Sequence, residues 1–352
     1  MGGGGGPPMP GGRSLGGQCN LHVSSVCDRF WQVFLLSDLT ICFRGGGTVM
    51  KSKILLAGAC TGILLPAFDT GATEQGAIAY PIGVNTVVSG IVPEPGETWF
   101  QSFSTYYTSN NFADGDGDSL IPGFKASVSA NASKLFHTWD GVTLGPFSIS
   151  SAFAVPFFNI NTTNAITGEE HDFSLGDVTV SPAYFGWSNP EHTFFAYAGM
   201  DFVIPTKTKV SNNFYSISPI VSMTWFPTQE LELDLTGVAE FHTQNDETGY
   251  RSGTLLMADW AVLYHLAPSV PKLALGLNGY IIKQVSDDTI KGAIVGDGFR
   301  QQGFAIGPQV TYAFEGGGGI AVKWQHEFGN KYATRGDKVW MQVTIPIGGK
   351  PE

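Results

Sequence analysis

The sequence lacks cysteine over most of its length. All four cysteines, Cys19, Cys27, Cys42 and Cys60, lie near the start of a chain of 352 residues. The remainder of the chain therefore has no disulfide framework, cysteine-ligated metal site or cysteine nucleophile. It also lacks any run of 18 consecutive apolar residues, which argues against a transmembrane helix there.

Charge is scarce, and positive charge is scarcer than negative charge. Only 14% of the residues are charged, and 30 acidic against 19 basic residues give a formal net charge of −11. Nucleic-acid binding needs a basic surface that neutralises phosphates, so nucleic acid is not an expected partner.

Residues 50–72 have the pattern of a secretory signal peptide. Lys51 and Lys53 form a short basic region, residues 54–65 are apolar, and Thr70-Gly71-Ala72 is a cleavable end of small residues. The apolar part is too short for the roughly 20 residues that a membrane-crossing helix needs. A lipoprotein interpretation of Cys60 is the alternative, with a shorter apolar region before it. An exported chain of this kind, with 12% aromatic residues, is a soluble all-β protein or a membrane β-barrel.

Residues 1–49 have a different composition from the rest. They begin with a low-complexity, glycine-rich stretch, and their apolar stretch, residues 30–43, is broken by Asp38. We interpret them as upstream sequence included by a wrong start assignment. The alternatives are a longer two-part targeting segment and an N-myristoyl site, which Gly6 disfavours because Ser or Thr is needed there.

Most of the chain after residue 97 alternates polar and apolar residues, as strands with two different faces must. In residues 125–133, KASVSANAS, alanines and Val128 share one face, while serines and Asn131 share the other. Twelve segments of this kind are predicted as strands: 98–108, 124–138, 146–158, 177–188, 192–204, 214–226, 231–242, 254–266, 273–284, 302–314, 319–328 and 337–346.

The connections between these strands alternate in length. Long ones such as NNFADGDGDSLIPG, NINTTNAITGEEHDFSLG and GNKYATRG follow odd strands, and short ones such as NPE, PTQE and EGGGG follow most even strands. Outer-membrane barrels have long loops outside, short periplasmic turns and an even strand number. We predict an all-β fold, a transmembrane antiparallel β-barrel of about 12 strands of outer-membrane type, with both ends periplasmic. A soluble β-sandwich is the alternative.

Aromatic residues at or near strand ends favour the membrane class, because interfacial girdles lie there. The lipid-facing set carries almost no charge except near strand ends, where it includes Lys134 and Lys283. The predicted girdle residues are Trp99, Tyr107, Trp187, Phe194, Phe202, Trp225, Phe241, Trp324 and Phe328.

Motifs spread over residues 74–312 resemble the outer-membrane family named for the meta pathway of phenol degradation, regarded as transporters of aromatic compounds. This resemblance implies a barrel and an association with aromatic catabolism, and it implies no catalytic residue. Two departures are Lys207, where the family has glycine, and a C-terminus without a terminal aromatic residue. The matching residues are Gly76, Tyr80, Gly83, Gly90, Pro93, Pro95, Gly96, Tyr106, Tyr107, Gly176, Asp177, Pro182, Tyr184, Asp201, Pro205, Thr248, Tyr250, Ser252, Gly253, Gly279, Tyr280, Gln284, Asp287 and Asp288, followed by RQQGFAIGPQVTY.

The predicted division of the chain follows from these patterns. Residues 1–49 are the upstream extension, 50–72 the signal peptide, 73–97 a plug or periplasmic lead-in, 98–346 the barrel and 347–352 a tail. The expected function is a channel for passive uptake of small hydrophobic or aromatic compounds. The expected partners are outer-membrane lipid, that solute and the barrel-assembly machinery.

Polar residues on the face opposite the lipid-facing set are predicted to line the lumen, where charge sets permeation preference or serves generic packing. No cofactor is expected. The predicted lumen-lining residues are Glu232, Asp234, Glu240, His242, Asp259, Lys323, Gln325 and Glu327.

Two other site interpretations are weaker. Asp114, Asp116 and Asp118 have the spacing of three calcium ligands, but Ser119 and Lys125 replace the glycine and glutamate of a full EF-hand loop. An outer-membrane hydrolase with a Ser and His pair is the alternative function, although no GxSxG motif accompanies the histidines. A structural or general porin is a further alternative, and we predict no enzyme activity.

The signal-peptide interpretation predicts that the exported protein begins at Thr73, immediately after the cleavage site. N-terminal sequencing of protein from the cell envelope tests this expectation. A first residue upstream of Met50 would contradict the start assignment.

Overall fold

The computed structural model describes residues 78–165, 168–266 and 272–348. The predicted upstream extension, the signal peptide and the last residues of the tail lie outside these described residues. Within the described ranges, no helix has the length and apolar character needed to cross a membrane. The strands are β1 (Thr98–Phe112), β2 (Lys125–Leu144), β3 (Phe147–Asn164), β4 (Gly168–Leu175), β5 (Val178–Ser188), β6 (Phe194–Ile204), β7 (Ser216–Trp225), β8 (Leu231–His242), β9 (Tyr250–Arg251), β10 (Leu255–His265), β11 (Leu273–Gln284), β12 (Thr289–Ile290), β13 (Ala293–Ile294), β14 (Gln302–Ala313), β15 (Gly319–Lys331) and β16 (Thr334–Gly348).

The long strands form one closed antiparallel barrel. Each pairs with its neighbours along the chain, and β1 pairs with β16 to close the sheet. Both β4 and β5 pair with β3, so they are two consecutive parts of one barrel strand, interrupted at Gly176 and Asp177. Counting them as one gives 12 barrel strands, and the predicted fold class is confirmed. The short strands β9, β12 and β13 form a separate small sheet in the loops.

The alternation of each strand separates an apolar outer face from a more polar inner face. On β7, Ser216, Ser218 and Ser222 are buried inside, whereas Val221 and Trp225 are exposed outside. Apolar side chains on the outer face form a belt that lipid would solvate, since hydrocarbon offers no hydrogen bonds to polar groups.

On β2 this arrangement is reversed, with the more polar face outside, whereas Phe153 and Phe157 of β3 are apolar and exposed outside. Exposed Tyr106 of β1 pairs with Ser129 of β2, so the serine face of β2 points outward with it. The alanine face, which includes Lys134, therefore points inward, and the prediction that Lys134 faces lipid is wrong. Alternation alone cannot show which face is outside, because a shift of one residue exchanges the two faces.

Two predicted loops are largely strand. The predicted loop at residues 159–176 is a tight hairpin, in which Asn164 pairs with Gly168 at the end of β3 and β4. Residues 329–336 are likewise taken up mostly by the ends of β15 and β16. Polar residues in these regions suggested loops, but backbone pairing extends the wall there independently of side-chain polarity.

Two of the predicted girdle residues point inward. The Trp99 ring contacts Phe136, a core residue, at a centroid distance of 6.2 Å. The Tyr107 hydroxyl donates to the inner residue Glu327 at 2.8 Å. The outward group contains Trp187, Trp225, Phe241, Trp324 and Phe328, which are exposed.

Lys207, where the resemblance leads us to expect glycine, adopts a backbone conformation that glycine adopts readily. Its φ of 57° lies in the left-handed region, where a side chain is disfavoured. The loop therefore keeps its turn at the cost of some backbone strain.

The closure of the sheet predicts a specific cross-link. Ser104 of β1 and Met341 of β16 are direct cross-strand partners, and the described chain has no native cysteine. We expect the Ser104→Cys, Met341→Cys pair to form a disulfide in the folded protein, because cross-strand partners have the Cβ separation that a disulfide needs. Gel mobility with and without reductant measures the cross-link.

A matched control pairs Ser104→Cys with Ile347→Cys, six residues further along β16 and about 20 Å away. This pair should stay reduced. Equal cross-linking of both pairs, or of neither, would contradict the observed register.

Candidate functional site

Residues 78–97, called here the inner segment, cross the interior of the barrel. The segment forms no strand until Thr98, so many of its backbone N–H and C=O groups have no sheet partner. Buried backbone groups need hydrogen bonds, and inward side chains of the barrel supply them. The hydrogen bonds from residues 78–90 to the barrel go to β7, β8, β10, β14, β15 and β16.

Two inward carboxylates hold the first part of the inner segment. Glu240 of β8 accepts the backbone N–H groups of Ala79 at 2.9 Å and Tyr80 at 2.7 Å. Asp259 of β10 accepts the N–H groups of Gly83 at 2.7 Å and Asn85 at 3.0 Å. Backbone amides grouped around a carboxylate stabilise its negative charge. Each acid therefore anchors the inner segment, and the amides of that segment stabilise the acid in return.

The hydroxyl of Tyr80 adds a third hydrogen bond to Asp259, at 2.8 Å. Burial, and then the neighbouring Asp259 charge, raise the pKa of Tyr80 well above its ordinary value. Tyr80 therefore remains a neutral donor at physiological pH and does not add a second negative charge beside Asp259.

A second pair of carboxylates lies near the opposite end of β8. Asp234 accepts the Ser89 N–H at 2.8 Å, and Glu232 accepts the Val88 N–H at 3.3 Å. Glu232 also contacts Nε2 of His265 at 2.6 Å. Acidic side chains along the whole of β8 thus bind the inner segment.

Carbonyl groups of the inner segment receive donors from the facing strands. Lys323 donates to the Val84 carbonyl at 2.9 Å and to the Thr86 hydroxyl at 2.6 Å. Gln325 donates to the Gly83 carbonyl at 3.1 Å. Acceptors on β8 and β10 and donors on β15 therefore match the two kinds of backbone group that the segment presents.

Glycine is required where the segment approaches these walls most closely. A Cβ at Gly90 would lie 2.4 Å from the Thr224 backbone nitrogen and 2.5 Å from the Phe195 carbonyl oxygen. Gly83 has a φ of 87° and lies against the Gln325 side chain. A side chain at Gly90 would require movement of the backbone, whereas one at Gly83 would adopt a disfavoured backbone conformation and displace the Gln325 side chain.

The structure places the eight predicted lumen-lining residues on the inner face, where all are buried. Six of them bond the inner segment directly: Glu232, Asp234, Glu240, Asp259, Lys323 and Gln325. Glu327 instead accepts from Tyr107 and Tyr280. In His242, one ring nitrogen contacts Glu240 at 2.7 Å and the other the Gly253 carbonyl at 3.1 Å, which leaves neither nitrogen for a serine.

The sequence-based site did not include the apolar inner surface. Residues Ala126, Val128, Ala130 and Ala132 of β2, with Ala154, Pro156 and Phe158 of β3, form what we call the apolar wall. These side chains are half-buried, in contrast to the buried inner residues of β8 and β10. The interior beside the apolar wall is therefore less filled than the interior around the inner segment.

The three aspartates of the calcium interpretation lie in the β1–β2 loop. Asp114 uses Oδ1 to accept the N–H groups of Asp116 and Asp118, each at 2.9 Å. This carboxylate thus closes a turn of the loop. Among the described residues, no group of three His, Cys, Asp or Glu side chains is arranged to hold a metal ion.

Comparisons with known proteins give one family and a set of solved barrels. The family described as "Putative MetA-pathway of phenol degradation" matches residues 109–343. No curated protein matches the chain significantly.

Among solved structures, an outer-membrane channel from Pseudomonas putida F1 has a TM-score of 0.62 and 14% identity, covering 73% of this chain and 97% of that chain. The β domain of the Bordetella autotransporter Brka has a TM-score of 0.45 and 9% identity, covering 72% of this chain and 100% of that chain. At these identities the likeness concerns the fold alone.

The anchoring role of Asp259 predicts a local loosening when its carboxylate is removed. In Asp259→Ala, the Gly83 and Asn85 amides lose a charged acceptor worth about 1.5–3 kcal/mol per hydrogen bond. We expect hydrogen exchange at these amides to be roughly tenfold faster or more, because about 1.4 kcal/mol corresponds to a factor of ten.

Glu315→Ala is the control, since Glu315 lies in an exposed turn and pairs with Lys272. Exchange in residues 83–85 should not change in this variant. Unchanged exchange in Asp259→Ala would show that other contacts hold the inner segment.

Proposed function

The chain belongs to the family described as the MetA-pathway of phenol degradation, and we propose that it is an outer-membrane channel for passive uptake of small hydrophobic or aromatic compounds. The family supports the link to aromatic compounds. The closed barrel of 12 strands and its apolar outer belt support a location in the outer membrane. Its contacts there would be with lipid, the solute and, during insertion, the barrel-assembly machinery.

The apolar wall is the observation that carries this proposal. Barrels that pass hydrophilic solutes have a polar, water-filled interior, whereas β2 and β3 place alanine, valine, proline and phenylalanine side chains inward. An apolar solute loses contact with water on entering such a passage and gains contact with apolar surface, which is favourable by about 25 cal/mol per Å² buried.

The inner segment narrows this passage and makes its two sides unlike in polarity. Residues 78–90 of this segment bond the charged side chains of β8, β10 and β15. The acidic residues of β8 and β10 are thereby covered by backbone amides. A solute would then travel between the apolar wall and the inner segment, rather than through a wide aqueous pore.

Catalysis forms no part of the proposed function. Permeation through a narrow, partly filled lumen needs a surface of suitable polarity and no reacting group. The P. putida structure with a similar fold is named an outer-membrane channel, in agreement with this view.

The proposal predicts slower uptake when the apolar wall is made polar. A strain that lacks the gene should take up limiting toluene more slowly than wild type, and the wild-type gene should restore the rate. Ala132→Asn should restore it poorly, because a solute entering the passage would have to displace water bound to the new amide. Initial uptake of radiolabelled toluene measures the effect.

Ser133→Asn is the matched control, because Ser133 is the next residue on β2 and is exposed on the outer face. It should restore uptake fully. Normal uptake of toluene and other aromatics by the deletion strain would leave a structural or general-porin role. Ester hydrolysis by the purified protein, abolished by His242→Ala, would favour an enzyme.

A further inference from the structure

Lys134 is an inward cation in the apolar surroundings of β2 and β3. Its cross-strand partners are Gln101 of β1 and Ala154 of β3, and Ala132 precedes it on the same inner face. Its side chain is half-buried. Lys134 therefore lies at one end of the apolar wall, within the proposed passage.

The ammonium group of Lys134 contacts aromatic rings and has no direct anionic partner in the described part of the chain. Nζ lies 4.7 Å from the ring centroid of Phe136 and 5.7 Å from that of Tyr184. Among the described residues, no carboxylate lies within 4.0 Å of Nζ to form a salt bridge, and Nζ donates no hydrogen bond there. Cation–π contacts stabilise an ammonium less than a paired anion does at a desolvated site.

Other inward lysines have polar partners, which distinguishes them from Lys134. Lys323 donates to the Val84 carbonyl and the Thr86 hydroxyl, and Lys338 donates to the Ile82 carbonyl at 3.3 Å. Both thus bind the inner segment, whereas no hydrogen bond joins Lys134 to the described part of this segment.

Asp201 is the acid that acts on Lys134 through space, but its carboxylate is used elsewhere. Its Oδ1 accepts a hydrogen bond from the Ser181 hydroxyl at 2.6 Å and another from the Tyr184 hydroxyl. Asp201 thus balances the charge of Lys134 without occupying its donors.

We propose that Lys134 is a solute-binding residue that selects aromatic carboxylates, such as benzoate, within the uptake function proposed above. The aromatic ring of the solute lies against Ala132 and Ala154, and its carboxylate accepts hydrogen bonds from Nζ. The inward lysines Lys323 and Lys338 already donate to the inner segment, so Lys134 is better placed to bind an anion. The rings of Phe136 and Tyr184 cover one side of the ammonium group and keep water from competing for it.

The test compares uptake of a charged and a neutral solute of similar size by cells of the deletion strain that carry the wild-type or a variant gene. Benzoate and toluene influx are measured at pH 7.5 for wild type, Lys134→Met and Lys134→Arg. Loss of a hydrogen bond to a charged group predicts that the benzoate-to-toluene ratio falls about tenfold or more in Lys134→Met. Lys134→Arg keeps the charge, so it should retain most of the ratio.

Lys283→Met is the control, because Lys283 is an exposed lysine bonded to Gln302. It should leave the ratio at the wild-type value. An unchanged ratio in Lys134→Met, or an equal fall in Lys134→Arg, would overturn the assignment of Lys134. If wild-type protein admits neither solute, the proposed function itself fails, which is a different outcome from loss of selectivity alone.

Discussion

An irregular segment inside a closed barrel must have its backbone polar groups satisfied, and the rest of the structure depends on this constraint. Residues 78–90 have no sheet partner, and they lie among side chains rather than in bulk water. Carboxylates of Glu240, Asp259 and Asp234 accept the N–H groups, while Lys323 and Gln325 donate to the carbonyls. The buried charges of the lumen are therefore explained by the segment that they hold, rather than by a requirement of the barrel alone.

The same arrangement divides the interior into two unlike sides. Strands that bond residues 78–90 carry acids, amides and lysines, whereas β2 and β3 present small and apolar residues to the less filled side. Water-filled pores do not need such a division, but passage of an apolar solute does. Lys134 is the exception on the apolar side, and its contacts with Phe136 and Tyr184 make it suited to an acceptor brought by the solute.

Much of the fold was predictable from the sequence because alternation and turn length are local properties. All twelve predicted strands correspond to barrel strands, although β1, β2, β3, β15 and β16 are longer than predicted and β4 lies in a predicted loop. Which face of β2 points outward was not predictable in the same way. Serine and alanine are both small residues, and only the register with Tyr106 identifies the outward face. Lys134 was consequently assigned to the wrong side.

The candidate site was predictable as a list of residues but not as a set of contacts. The alternation of side chains along β8 identified Glu232, Asp234 and Glu240 as inward residues once the lipid-facing side was known. Nothing local in the sequence showed that residues 144 to 161 positions earlier would be their partners, as in the hydrogen bond between Tyr80 and Glu240. Gly83 and Gly90 were identified only through the family resemblance, and their close contacts supply the physical reason.

The location of an aromatic solute in the lumen tests the central claim most directly. Crystals soaked with bromobenzene and measured at the bromine absorption edge would show the solute by anomalous scattering. The account predicts bromine sites beside Val128, Ala130 and Ala132 on the apolar wall. Bromine sites confined to the outer surface, or placed among the inner-segment contacts of Glu240 and Asp259, would contradict it.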